Sequence, residues 1–96
     1  MSLSYDENMT VFVVFRATLP EALGASVRRN FPNNFLEVQS DEWLISASGT
    51  AKDVSDRLGL TPSASSVGTA IVFSMANYYG RAPTEIWEWI KAKAES

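Results

Sequence analysis

The sequence predicts an α+β domain: a four-stranded antiparallel sheet with two helices placed between strands and a third helix at the end. Three observations predict it. The run Thr10–Ala17 is β-branched and aromatic; Phe35–Gln39 and Trp43–Ser48 alternate on either side of a hairpin-sized polar turn; and two helical stretches, one opened by Pro20 and one capped by Thr50, interrupt the strands.

Residues 1–9 read as a flexible leader, polar and without periodicity up to Asn8, with Met9 as an alternative initiator. Residues 10–96 read as one domain. Val11 to Phe15 is apolar on both faces until Arg16, the pattern of a central strand covered from both sides. Leu19-Pro20 opens the first helix, because proline suits the first turn and Glu21 favours the positive end of the dipole. Leu23, Val27 and Phe31 form its apolar stripe, and Pro32-Asn33-Asn34 ends it.

Ser40-Asp41-Glu42 is short enough to join the next two strands as a hairpin. Thr50 can then cap a helix, with Asp53 at the capping-box position usually held by Glu or Gln. Ala51, Val54 and Leu58 give that helix its apolar face; Gly59 supplies a left-handed stop and Leu60 folds back against it. Thr61 to Ser66 is a Pro/Ser-rich loop. Val67–Tyr79 reads as one long strand, with Val67, Thr69, Ile71, Phe73 and Met75 on one face and the smaller Gly68, Ala70, Val72, Ser74 and Ala76 on the other. Pro83 starts the last helix. The first six elements match the ferredoxin-like βαββαβ order, in which two helices cover one sheet face. The two-sided first strand requires the added C-terminal helix, or a second subunit, on the other.

Composition narrows the chemistry. The chain has 96 residues, 46% hydrophobic and 20% charged, which suits one globular domain with its own core. It contains no cysteine and no histidine. Disulfides, thiolate metal sites and imidazole-based nucleophilic catalysis are therefore excluded within the chain. Carboxylate acid-base work, oxygen-ligated Mg²⁺ or Ca²⁺, and lysine or tyrosine chemistry remain. A formal charge of −3 disfavours general nucleic-acid affinity, which rests on Lys and Arg neutralising phosphates. No apolar run reaches the ~20 residues needed to span a bilayer, so no membrane partner and a cytoplasmic location are expected.

The aromatic residues gather near the C-terminus. At ~100° per residue, Trp89, Ile86, Ile90, Ala94 and Trp87 cover an arc of roughly 160°, with the tryptophans at its edges. Such an arc docks on a core. A sharper reading leaves Trp87, with Tyr78 and Tyr79, on a partner-binding surface. Arg81 stands where a strand-to-helix turn could hold it near an anion. Arg28 and Arg29 complement the negative end of the first helix, and with Arg16 they would form a phosphate patch only if folding brought them together. Asp53 and Asp56 share a helical face at a spacing that could hold an ion, although Asp53 already has a capping role.

The run Glu42–Leu58, a Trp-containing strand followed by a Thr-Ala-capped helix ending in Arg57-Leu58, resembles the middle of SinR-like proteins. These are small bacterial relatives of the CRISPR-associated endoribonuclease and virulence-associated ferredoxin-like families. The resemblance implies a ferredoxin-like homodimer and, in the nuclease branch, a metal-binding aspartate at the end of the first strand. Here that strand ends in Arg16, a cation that would repel Mg²⁺.

The expected function is that of a small non-catalytic domain acting by self-association and partner binding, without a cofactor. Tyr78, Tyr79, Arg81 and Trp87 are its main candidate contact residues, with Arg16 and Arg29 beside them. Protein partners are favoured over nucleic acid. The alternative is a metal-dependent nuclease or phosphodiesterase, whose carboxylates would have to assemble from distant segments or across a dimer.

Overall fold

The computed structural model describes residues 9–61, 66–75 and 84–94. Its elements are β1 (Met9–Phe15), α1 (Pro20–Asn30), β2 (Phe35–Gln39), β3 (Glu42–Ser48), α2 (Ala51–Leu58), β4 (Ile71–Ser74) and α3 (Thr84–Ala94). The four strands form one antiparallel sheet in the order β2-β3-β1-β4. This is the ferredoxin-like order with an extra C-terminal helix. β1 is central, as its two-sided apolar pattern requires, and begins at Met9, which pairs with Ser48.

Alternation along β1 divides the apolar residues between two layers. Phe12 and Val14 face α1 and α2 and join Leu23, Val27, Phe31, Trp43, Ile45, Val54 and Leu58 in the main core. Val11 faces the other way and meets Leu44 and Ile90, with Val13, Leu36, Val38, Ile86, Trp87 and Trp89 packed around them. The last helix therefore covers the second sheet face, as its wide apolar arc predicts. Lys93 ties it down by donating from Nζ to Oδ1 of Asn34 at 3.0 Å.

Helices α1 and α2 are joined by polar contacts as well as by packing. The buried Ser26 hydroxyl donates to the Leu58 carbonyl at 2.8 Å, and Asn30 Nδ2 donates to the Ser26 carbonyl and hydroxyl at 2.9 and 3.1 Å. Arg57 donates to the Asn30 carbonyl at 3.0 Å and lies 4.3 Å from the centre of the Phe31 ring. Ser26→Ala removes the donor to a helix-terminal carbonyl, and a loss of about 1–3 kcal/mol is expected in urea unfolding. At the start of α2 the capping box is complete: Thr50 Oγ1 accepts from the Asp53 amide, and Asp53 accepts from the Thr50 amide. Gly59 ends the helix with φ 91°, and Leu60 packs against the core.

The fourth strand departs from expectation. It begins at Ile71 rather than Val67, and its described extent ends at Ser74. Gly68 has φ +81°, outside the strand region, and a Cβ there would lie 2.6 Å from Thr18 Oγ1. Thr69 is instead held to Thr18: its amide donates to Thr18 Oγ1 at 2.8 Å, and the Thr18 amide donates to the Thr69 carbonyl at 3.0 Å. Val67 is buried in the main core with Ala70 and Val72 packed nearby, so the expected face of Val67, Thr69 and Ile71 is broken at Gly68. The smaller residues Ala70 and Val72 do form the close-packed side, against the helices.

Candidate functional site

The residues expected to make contacts fall in different surroundings. Tyr78, Tyr79 and Arg81 lie outside the described residues. Trp87 is half-buried on α3, among the residues packed around Val11, Leu44 and Ile90. Arg29 is exposed in the last turn of α1. Arg16 is exposed just beyond β1, with its guanidinium carbon 5.7 Å from the centre of the Phe15 ring. It has φ 62°, a left-handed conformation uncommon for a residue with a Cβ. The corner it makes is pinned on both sides, by the Ala17 amide donating to the Asp41 carbonyl at 3.2 Å and by the Thr18–Thr69 bonds. Arg28, by contrast, approaches Trp43 on the helix side of the sheet, so it and Arg16 meet different neighbours.

Asp56 is already engaged. Its carboxylate accepts from the Thr61 hydroxyl and from Lys52 Nζ at 2.9 Å. The Thr61 hydrogen bond, then the Lys52 hydrogen bond and charge, hold its carboxyl below the usual aspartate value. Lys52 is raised in turn, chiefly by its hydrogen bond to Asp56. A depressed folded value stabilises the fold above the unfolded aspartate value of about 3.9 and loses that contribution as pH falls through the folded value. The stability difference between the protein and its Asp56→Asn variant, measured by urea unfolding, should therefore be present near neutral pH and close in acid. It should also shrink in salt, as for any exposed pair. Among the described residues no group of three or more His, Cys, Asp or Glu is placed to hold a metal ion. No helix is long and apolar enough to cross a membrane, among the same residues.

Two features that the sequence pattern does not single out carry more chemistry. The first is the β4 edge. Strand pairing places Phe73 opposite Val13 and Ile71 opposite Phe15, all on the α3 side of the sheet. The helix does not reach this end: Ile71 is 59% exposed and Phe73 46%. Phe15 meets only the edge of the Phe73 ring, with centroids 6.4 Å apart. The Met75 amide donates to the Val11 carbonyl at 2.8 Å, which fixes the phase of the ladder. Residues 71, 73 and 75 turn their backbone groups toward β1, and Val72 and Ser74 turn theirs outward. Among the described residues, none bonds these outward groups.

The second feature is a cleft of about 490 Å³ between α1 and the β2–β3 hairpin, lined by Pro20, Glu21, Gly24, Arg28, Glu37, Ser40 and Trp43. Glu37 pairs directly with Trp43 and so shares its face. Gly24 lets two side chains approach the helix backbone: a Cβ there would stand 3.2 Å from Trp43 Cζ2 and 3.4 Å from Arg28 Nη1. Trp43 is 1% exposed, and its Nε1 has no hydrogen-bond partner among the described residues. A buried unpaired donor of this kind costs about 1–3 kcal/mol. Among the described residues Arg28, Glu21 and Glu37 form no ion pair.

No protein-family model matches the chain, and no curated protein or solved structure is significantly similar to it, so the likeness to SinR-like proteins rests on residues 42–58 and the order of the elements.

Proposed function

We propose that this chain is a small self-associating domain that works through contacts, and that two copies meet along β4. The exposed apolar edge strand carries this reading. Ile71-Val72-Phe73-Ser74 holds no charge and no proline, the usual devices that keep an edge from pairing. A two-fold axis through Val72 would pair its outward amide and carbonyl with those of the same residue in the second copy. Ile71 of each copy would then stand opposite Phe73 of the other, giving two aromatic–β-branched cross-strand pairs on the α3 side. Tyr78, Tyr79 and Arg81 follow β4 closely in the chain, and they are the residues through which this contact would be extended or a further protein engaged.

A four-residue strand pairing is smaller than the ~800 Å² per partner of a standard interface, so the dimer is weak, with a dissociation constant of about micromolar or above. Each copy carries a charge of −3, so association strengthens with salt, opposite to the trend for nucleic-acid binding.

Sedimentation equilibrium over a wide concentration range tests this. The expected result is a monomer–dimer equilibrium that Val72→Pro and Phe73→Asp each abolish while the circular dichroism spectrum is kept. Proline at position 72 removes an outward amide and leaves the β1–β4 hydrogen bonds intact. A chain that stays monomeric at about millimolar concentration, or a Val72→Pro variant that associates like the parent, sinks the proposal.

A further inference from the structure

The cleft between α1 and the β2–β3 hairpin is a site in its own right, on the opposite side of the sheet from the apolar β4 patch. Its walls hold hydrogen-bond donors and acceptors of opposite charge. The donors are the Arg28 guanidinium and the buried indole N–H of Trp43, both close to the bare Cα of Gly24. The acceptors are the carboxylates of Glu21 and Glu37, which, like Arg28, form no ion pair among the described residues. Nε1 is one ring atom removed from Cζ2, the indole atom nearest Gly24, so the orphan donor lies beside the cleft wall. Nε1 has no accessible surface as it stands; Arg28, exposed and near the same point of Gly24 as the indole edge, is the group whose side chain must rotate for a ligand to reach it.

Charge selects among ligands. Two carboxylates against one guanidinium make the cleft net negative, which repels phosphate or any other dianion. A simple amine would offer no acceptor to the guanidinium or to the indole N–H. A ligand with a carboxylate beside an ammonium answers both halves. From this arrangement we infer that the cleft binds a small zwitterion of the α-amino-acid type. The ligand carboxylate pairs with Arg28 and accepts from Trp43 Nε1, and the ammonium sits against Glu21 and Glu37. The cleft is open to solvent and, at about 490 Å³, has room for a small amino acid. The indole donor gives the site specificity, since a buried N–H without an acceptor favours any ligand that supplies one.

The test is a titration of the ¹⁵N-labelled full chain with glycine, L-alanine and L-leucine, following the indole N–H resonance of Trp43, assigned by its absence in Trp43→Phe. Acetate, methylammonium and inorganic phosphate are titrated separately at matched ionic strength. At least one amino acid should shift the Trp43 resonance saturably, at a concentration at least about tenfold below that needed for acetate. Arg28→Gln should weaken that binding about tenfold or more, and Glu37→Gln should bring the amino acid and acetate closer together. Both substitutions are at exposed positions, so folding is retained. An unmoved Trp43 resonance, equal response to acetate or phosphate, or undiminished binding in Arg28→Gln overturns the inference.

Discussion

Replacing Ile90 by aspartate should detach the last helix from the sheet. Ile90 is 5% exposed and sits with Val11 and Leu44 at the centre of the second apolar layer. Truncating a buried isoleucine alone costs about 2–5 kcal/mol, and an unpaired carboxylate in its place adds a desolvation penalty. The main core lies on the opposite face, built from β1, β3, α1 and α2, and Phe12 and Val14 are unaffected by the change. The expected result is selective. Tryptophan fluorescence should shift to the red as Trp87 and Trp89 leave their half-buried positions, and amides of α3 should exchange quickly while those of α1 and α2 stay protected. Loss of protection throughout the chain would show that the two layers unfold as one unit.

Trp43→Ala should have the larger effect on global stability. The side chain is 1% exposed and packs within the main core beside Gly24. Large aromatic truncations of this kind cost about 3–5 kcal/mol, against a total of about 5–15 kcal/mol for a typical domain. Trp43→Phe should cost clearly less, because it keeps much of the ring and also removes the unpaired Nε1 donor. Urea unfolding of both variants checks the order. A Phe variant as unstable as the Ala variant would mean that indole shape, and not burial, dominates at this position.

Local signals explain which parts of the fold are legible in the sequence. Thr50, Asp53 and Gly59 announce α2 because a capping box and a left-handed stop are determined by neighbours in the chain. The hairpin Phe35–Ser48 is read from alternation, and the central place of β1 from its lack of alternation. Gly68 defeats the same reading, because the contacts that end the strand pattern there come from Thr18 and Leu19, some fifty positions away. Alternation continues through Gly68 on paper, but the backbone does not.

The candidate surfaces were legible only in part. The wide arc of α3 is a one-dimensional pattern and is found where the sequence puts it. That the helix stops short of Ile71 and Phe73 depends on how it lies on the sheet, which no periodicity encodes. The cleft is harder still. Gly24 in α1 gives no cap, turn or positive φ, and its role becomes visible only when Trp43 and Arg28 are seen closing on it. Arg28 carries an obvious electrostatic role at the helix end, which conceals its second neighbour.

The position of β1 has a consequence for biosynthesis. Met9–Phe15 lies in the middle of the sheet but is made before both of its partners, β3 and β4. Until Glu42–Ser48 leaves the ribosome, the most apolar strand of the chain has no ladder to join. Its nascent form is a short, uncharged, aromatic and β-branched segment, the composition that drives intermolecular pairing. Arg16, directly after it, is then the first positive charge to follow this sticky segment during synthesis, a gatekeeper whose service ends once β3 has docked.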